Sequence, residues 1–347
     1  MSKKIAVLSG DGIGPEICTE AVKVMSAAAA RHGSDLSFDF ADFGGCAIDH
    51  FGAPFPFATR RAVDSADAVL LGAVGGPKWD KCEKRPESGL LELRAHMGAY
   101  ANLRPARIFP ALIGASPLKE EICAGTDLMV VRELTGGIYF GKRGNSDSGD
   151  SAFDTEQYSG YEIERIARVA FEQARLRRKK VCSVDKANVL ASSKLWRRCV
   201  EAVAKDYPDV ALTHMYVDNA AMQLVHDPRQ FDVLLCSNMF GDILSDEASM
   251  ICGSIGTMPS AGIGGRAGIF EPIHGSAPDI AGKNIANPIG TVLSGAMLLR
   301  YLGLSAEAAS IENAVELTLK DGIFTPDLSA KCVTCSEMGD AIASRVK

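Results

Sequence analysis

An α/β fold is predicted by three observations. Short apolar runs with strand composition recur along the chain, helix-length segments separate several of them, and no run is long and apolar enough to span a bilayer. The expected strands are KIAVLSG, SFDFADF, DAVLLGAVG, DLMVVREL, KVCSVD, LTHMYVD and FDVLLCS. After position 268 the pattern is mostly helical. With 347 residues, and at roughly 150 residues per domain, the chain should form about two domains, each with ample apolar material for a core. No internal repeat, low-complexity tract or Pro/Ser-rich linker marks a boundary between them.

Composition narrows the function. Hydrophobic residues make up 47%, charged residues 23%, and the net charge is -6, so the chain reads as mildly acidic and globular, with no general attraction to nucleic acid or a membrane surface. An anionic ligand must therefore be held by local cations. The opening MSKKIAVLSGDGIGPE reaches Gly and Asp too soon for a signal-peptide core, and a cytoplasmic location is expected. The ten cysteines are scattered and are expected to stay reduced, as small core residues. Cys332 and Cys335 form a CxxC pair with no second pair nearby, and their spacing also suits one helix face.

Two nucleotide-binding near misses are set aside. SGDGIGPE supplies Gly10, Gly12 and Gly14, but Pro15 stands where a dinucleotide fingerprint needs its third glycine, and proline at a helix start explains the segment more simply. GGIYFGKR matches GxxxxGK, yet Arg143 replaces the hydroxyl that a P-loop needs for magnesium, and its interior reads as strand. RLRRKK, at 175–180, falls where a helix should end before a strand, so solvated charge favoured by the helix dipole is expected there.

NMFGDILSDEAS, at 238–249, is the most unusual stretch. On a helix, residues i and i+4 share a face, so Asp242 and Asp246 would stand side by side and repel. A first-turn pair favoured by the helix dipole and a divalent-metal site both account for this. Upstream, RPESGLLELRAHMGAYANLRPARIFP carries Arg94 and Arg104, and VVRELTGGIYFG carries Arg132. Each could be a surface cation. A cluster of guanidinium forks near acidic metal ligands would instead suit a polycarboxylate.

Taken together, GDGIGPE, GLLELR, NLRP, RELTGGIYFG, VDKANVL, VDNAAMQL, NMFGDILSDEAS and FEPIHGSAPDIAGKNIANP, in this order and nearly end to end, resemble the metal-dependent β-decarboxylating dehydrogenases of the isocitrate/isopropylmalate dehydrogenase family. The resemblance implies two α/β domains with an active-site cleft between them and a cofactor site that is not Rossmann-type. The first domain would be discontinuous, 1–100 plus 253–347, and 101–252 would form the second, with a dimerisation arm near 145–159. It implies Asp218, Asp242 and Asp246 as ligands of Mg²⁺ or Mn²⁺, with Asp218 also at the substrate, Lys186 as general base and Tyr139 as the acid that protonates C3. Arg94, Arg104 and Arg132 would take the substrate carboxylates, and Glu87, Leu90, Leu91 and Val189 would line the side-chain pocket.

The loop HGSAPDIAGKNIANP would bind the dinucleotide through His274, Gly275, Ser276, Ala277, Asp279, Ile280 and Asn287, with Asn188 on the nicotinamide side. A carboxylate at Asp279 suits ribose hydroxyls and repels a 2′-phosphate, which favours NAD; Pro278 and Asp279 could also simply begin a helix. The leucines favour an apolar substituent, and with them the resemblance implies the oxidative decarboxylation of (2R,3S)-3-isopropylmalate, in leucine biosynthesis, by a homodimer whose clefts borrow Lys186 and Asp218 from the partner. The alternatives are a sibling acting on isocitrate, homoisocitrate, malate or tartrate, and a non-catalytic regulatory subunit.

Overall fold

A computed structural model describes residues 2–347. The chain divides into two compact units, the first made of residues up to Ala99 with Phe109–Ala115 and Gly253–Lys347, the second of Tyr100–Ile108 and Ser116–Cys252.

The first unit opens with β1 (Lys3–Gly10) and α1 (Gly14–His32). Pro15 lies in the first turn of α1, where a missing N–H costs no helix bond, and Gly33 ends the helix in the left-handed region. β2 (Leu36–Phe40), α2 (Gly45–Phe51), α3 (Phe57–Asp64), β3 (Ala68–Ala73) and α4 (Pro86–Met97) follow. Every residue of β3 is buried, as its unbroken apolar run requires of a strand covered on both faces.

The chain then enters the second unit with β4 (Ala101–Arg107), α5 (Glu120–Cys123) and β5 (Asp127–Glu133). A hairpin of β6 (Arg143–Asn145) and β7 (Ala152–Asp154) comes next. α6 (Gly160–Arg175) starts at a capping box, Ser159 with Glu162, and leads to β8 (Lys180–Asp185) and α7 (Ala191–Ala204). β9 (Ala211–Tyr216), α8 (Val217–His226), β10 (Val233–Cys236) and α9 (Asn238–Ile251) complete the unit. Back in the first unit, β11 (Pro259–Ile263), β12 (Gly268–Pro272), α10 (Ile289–Tyr301), α11 (Ser305–Lys320) and α12 (Cys335–Ala343) finish the chain.

Strands of the first unit run in the order β2-β1-β3-β12-β11, parallel except for the antiparallel β11–β12 pair. Those of the second run β4-β5-β10-β8-β9, parallel except for β4–β5. The architecture is thus mixed α/β, and all seven expected strands are present.

Several expectations need correction. β4, β11 and β12 were not expected as strands: ANLRPAR and PSAGI carry Pro, Gly and Ser, and neighbouring strands override their weak intrinsic preference. The interior of GGIYFGKR is a turn, with the amides of Phe140 and Gly141 both returning to the Gly137 carbonyl, and only Arg143 begins a strand. Phe109–Ala115, expected in the second domain, belongs to the first unit, where Leu112 is buried and Ala115 lies against Gly253. RLRRKK does end α6, but Arg177 is not solvated charge: it is drawn in by Asp127 and by the fully buried Asp232. Cys332 precedes α12 and is exposed, whereas Cys335 begins it and is buried, so the two do not share a helix face. All ten cysteines are free, and burial pushes the Cys335 thiol up to about 12, away from thiolate chemistry.

Candidate active site

α9 carries Asp242 and Asp246 on one face, as the sequence predicted. The helix begins at Asn238, so neither aspartate is in its first turn and the dipole does not account for them. Arginines do. The Arg132 guanidinium holds Asp242 Oδ1, and Arg104 reaches Asp246 Oδ1 at 3.1 Å, Asp242 Oδ1 at 3.7 Å and the Ser245 hydroxyl at 2.7 Å. Both arginine side chains are nearly buried, so neither is the solvated cation it could have been. α9 can lie this close because Gly241 has no side chain: a Cβ there would stand 2.7 Å from Arg132 Cβ. Burial pushes the Asp246 carboxyl up, and the charge of Arg104 pulls it back.

Tyr139, on the turn after β5, donates to Asp242 Oδ2 at 3.1 Å and is 42% exposed, so it is not a core aromatic. Burial first, then the Asp242 charge, raises its phenol above the ordinary range, which keeps its proton in place at neutral pH. The turn itself is anchored by the fully buried Glu133, which accepts from the amides of Thr135 and Gly136.

Lys186, just past β8, is 2.7 Å from Asp218 on α8, and its hydrogen bond holds the Asp218 carboxyl below the usual carboxylate range. Asn188 and Val189 lie exposed on the same turn, whose amides at Val189 and Leu190 return to the Lys186 carbonyl. Asp218 gives one oxygen to Lys186 and stays largely exposed. Among the described residues, no group of three or more His, Cys, Asp or Glu side chains is placed to share one metal ion.

In the first unit, Glu87, Leu91 and Arg94 share one face of α4 at intervals of four and three residues. Glu87 is exposed and Leu91 is 46% exposed, whereas Leu90 packs partly against the core of the unit around Leu93, Met97 and Phe55. Arg94 is mostly buried and pairs with Glu271 on β12 at 2.9 Å.

The loop 274–288 is bolted to its unit rather than free. A Cβ at Gly12 would stand 2.0 Å from the Ser276 carbonyl oxygen, which also accepts from the Ile13 amide at 2.9 Å. Gly12 of GDGIGPE therefore seats this loop, while Gly10 and Gly14 make room for the carbonyls of Ala73 and Ser9. Asn284 exchanges two hydrogen bonds with Ser336, and Ala277 and Ile280 pack against Ile13 and Ile17. Asn287 donates to Asp327 at 3.0 Å, and Asp327 also accepts from Ser254 and Thr325. Pro278 and Asp279 form a turn and begin no helix; α10 starts at Ile289.

Asp279 and Gly275 are exposed. The His274 ring has Nδ1 against the Gly275 carbonyl, while its buried Nε2 has no hydrogen-bond partner among the described residues, and burial lowers its pKa, favouring a neutral ring. An orphaned buried nitrogen and an exposed carboxylate on one loop fit a polar ligand with hydroxyl and ring-nitrogen groups, such as a nucleotide. The α9 face, offering the Asp242 and Asp246 carboxylates and no His or Cys, fits a hard divalent cation better than zinc.

A family profile described as isocitrate/isopropylmalate dehydrogenase matches residues 4–342. The chain belongs to the isocitrate/isopropylmalate dehydrogenase family. It is 57% identical over 355 residues to a 3-isopropylmalate dehydrogenase of Xanthomonas euvesicatoria, covering 99% of both chains. It is 58% identical over 354 residues to one of Vibrio cholerae, covering 99% of this chain and 98% of that one. Its fold matches the crystal structure of isocitrate dehydrogenase from Methylococcus capsulatus with a TM-score of 0.90 at 37% identity, covering 99% of each chain. A β-decarboxylating dehydrogenase from Thermococcus kodakarensis matches with a TM-score of 0.84 at 38% identity, covering 99% of this chain and 96% of that one.

As a member of this family the chain is an oxidoreductase, and no helix among the described residues is long and apolar enough to cross a membrane. Sequence reasoning missed Asn238, Ser245, Glu271 and Asp327 as partners of the family's site positions. Asn238 and Ser245 could have been found by extending the helical period from Asp242 and Asp246, because positions 238, 242, 245 and 246 share one face. Glu271 and Asp327 act across long sequence separations and left no local signal.

Proposed function

We propose that this chain converts (2R,3S)-3-isopropylmalate and NAD⁺ to 4-methyl-2-oxopentanoate, CO₂ and NADH, in leucine biosynthesis. The observation that carries this reading is the Asp242 carboxylate, shared by Arg132 and Tyr139, in a chain of end-to-end similarity to proteins named for that reaction.

Asp242 and Asp246 would hold Mg²⁺ or Mn²⁺, and His274, Gly275, Ser276, Ala277, Asp279, Ile280 and Asn287 would hold the adenosine side of NAD, with Asn188 near the nicotinamide. When bound, the cation polarises the 2-hydroxyl and its adjacent carboxylate, and NAD⁺ accepts the hydride from C2. Arg94, Arg104 and Arg132 take the substrate carboxylates as fixed forks. Lys186 receives the proton of the 2-hydroxyl, a role that needs its neutral amine. Tyr139 keeps its proton at neutral pH and delivers it to C3 after CO₂ departs, so it is an acid rather than a base. Leu91, with Leu90 and Val189, gives the isopropyl group apolar surface, and Glu87 borders it on α4. Asp279 favours NAD, because an exposed carboxylate would repel a 2′-phosphate.

The active form is a homodimer that shares its sites. Met222 and Val225 on α8 and Ile243 and Met250 on α9 are exposed apolar side chains in the second unit, a pattern suited to helix-on-helix association. The third carboxylate for the Asp242–Asp246 face would be Asp218 of a second copy, because among the described residues no third side chain of the same chain joins that pair. One steady-state comparison tests the reading: purified protein with Mg²⁺, NAD⁺ or NADP⁺, and 3-isopropylmalate, isocitrate, homoisocitrate, malate or tartrate. Highest kcat/KM with 3-isopropylmalate and NAD⁺, abolished by excess EDTA, is expected. Preference for isocitrate, or full turnover in EDTA, would overturn it.

A further inference from the structure

Asn238 is buried to 1% exposure at the start of α9, and all of its polar groups are engaged. Its Oδ1 accepts from Arg132 Nε at 3.1 Å and Nη2 at 2.8 Å, and its Nδ2 donates to the Gly136 carbonyl at 3.1 Å. Its backbone amide donates to the Tyr158 hydroxyl at 2.8 Å. The donors on one side and the carbonyl on the other leave a single orientation for the amide. One side chain thereby gathers the Nε–Nη2 edge of Arg132 and the turn that begins at Gly136 and carries Tyr139.

A guanidinium has two edges on which it can present a pair of parallel donors. With Nε and Nη2 directed to Asn238, Nη1 is directed to Asp242. Rotation about the Arg132 side chain would break two buried hydrogen bonds and leave the Asn238 carbonyl oxygen unsatisfied. An aspartate in this place would keep the acceptor toward Arg132, but it would lose the donor to the Gly136 carbonyl and set a second negative charge beside an arginine already paired with Asp242. Asparagine fixes the fork and adds no second negative charge beside an arginine that already holds Asp242.

We propose that Asn238 is a positioning residue that aims Arg132 at the substrate carboxylate without adding a second protein carboxylate to it. The inference rests on the reading of Arg132 as a carboxylate ligand.

A double-mutant cycle tests it in the intact holoenzyme, with Arg132→Lys, Asn238→Ala and the double variant assayed against 3-isopropylmalate and NAD⁺ in Mg²⁺. A lysine has no Nε–Nη2 edge for Asn238 to hold. Each single variant should raise the substrate KM about tenfold, and the double variant no more than the worse single, with KM for NAD⁺ within about twofold. If Arg132→Lys leaves the substrate KM unchanged, the reading of Arg132 is wrong. If it raises KM but Asn238→Ala multiplies that loss in the double variant, Asn238 does not act through Arg132 and the proposal falls.

Asn238→Asp, which keeps the size and the acceptor toward Arg132 but loses the donor to the Gly136 carbonyl, covers the case in which the alanine variant fails to fold. Its thermal midpoint should fall with the lost hydrogen bond to the Gly136 carbonyl, and in the folded enzyme the substrate KM should rise about tenfold. An unchanged KM in this variant would overturn the proposal.

Discussion

Tyr139 donates its phenolic hydrogen to Asp242 Oδ2 at 3.1 Å, while Arg132 holds the other oxygen of the same carboxylate. One aspartate therefore fixes both the residue read as the proton donor and a cation read as a substrate ligand. The turn bearing Tyr139 and the helix bearing Asp242 are 103 residues apart in sequence, so only the fold brings them together.

Replacing Tyr139 by phenylalanine removes the hydroxyl and keeps the ring. Because the ring is partly exposed, stability should change by no more than about 0.5 kcal/mol. kcat should fall by about 10²-fold or more, with the substrate KM nearly unchanged, if the phenol acts in proton transfer and not in binding. Steady-state rates beside a thermal melt check both halves. A loss confined to KM would assign the hydroxyl to binding.

Leu90 and Leu91 are neighbours with different surroundings, which separates packing from recognition. Leu91 is 46% exposed, and Leu91→Ala should cost about 1–3 kcal/mol in kcat/KM for 3-isopropylmalate and little for malate, which has no isopropyl group. Leu90 packs against the core, and Leu90→Ala should in addition destabilise the fold by about 1–3 kcal/mol. Parallel kinetics and denaturant titrations distinguish them. Equal losses of Leu91→Ala on both substrates would remove Leu91 from the pocket.

Much of this site was legible in the sequence because its parts lie on regular elements with a readable period. Asp242 and Asp246 sit four apart on a real helix, and Glu87, Leu91 and Arg94 follow the same period on α4. The turn of GGIYFGKR was misread, because its apolar centre has strand composition while its conformation is set by hydrogen bonds back to Gly137. β11 and β12 were invisible for a related reason: they are short and Gly- or Pro-containing, and become strands by pairing with each other and, for β12, with β3. The anchoring partners Glu271 and Asp327 could not be read at all. A carboxylate that orients an arginine or an amide leaves no pattern in its own neighbourhood; its meaning exists only once the chain has folded.

Cofactor choice should respond to Asp279 alone. Its carboxylate is exposed, so Asp279→Lys removes the repulsion toward a 2′-phosphate and adds a cation without disturbing the core. Ile280 is better left in place, because it packs against Ile13 and Ile17 and a larger ring would strain that contact. The ratio of kcat/KM for NADP⁺ to that for NAD⁺ should rise by about tenfold or more, equivalent to roughly 1.4 kcal/mol. An unchanged ratio would place the adenosine ribose away from this turn.

The shared site can be tested with two inactive variants, Tyr139→Phe and Lys186→Met, whose lesions lie in the same unit of the chain. If each site takes Tyr139 from one subunit and Lys186 from the other, a dimer of the two variants collects both lesions in one site. Its second site keeps an intact tyrosine and an intact lysine, as two-fold symmetry requires. Random reassortment after co-refolding makes about half of the dimers mixed, each with one good site of two, so activity should return to roughly a quarter of the parent level. If both residues came from a single subunit, every site would keep one lesion and the mixture would stay as inactive as its parts. Native mass spectrometry confirms that mixed dimers have formed, and silence in their presence would exclude a site built across subunits.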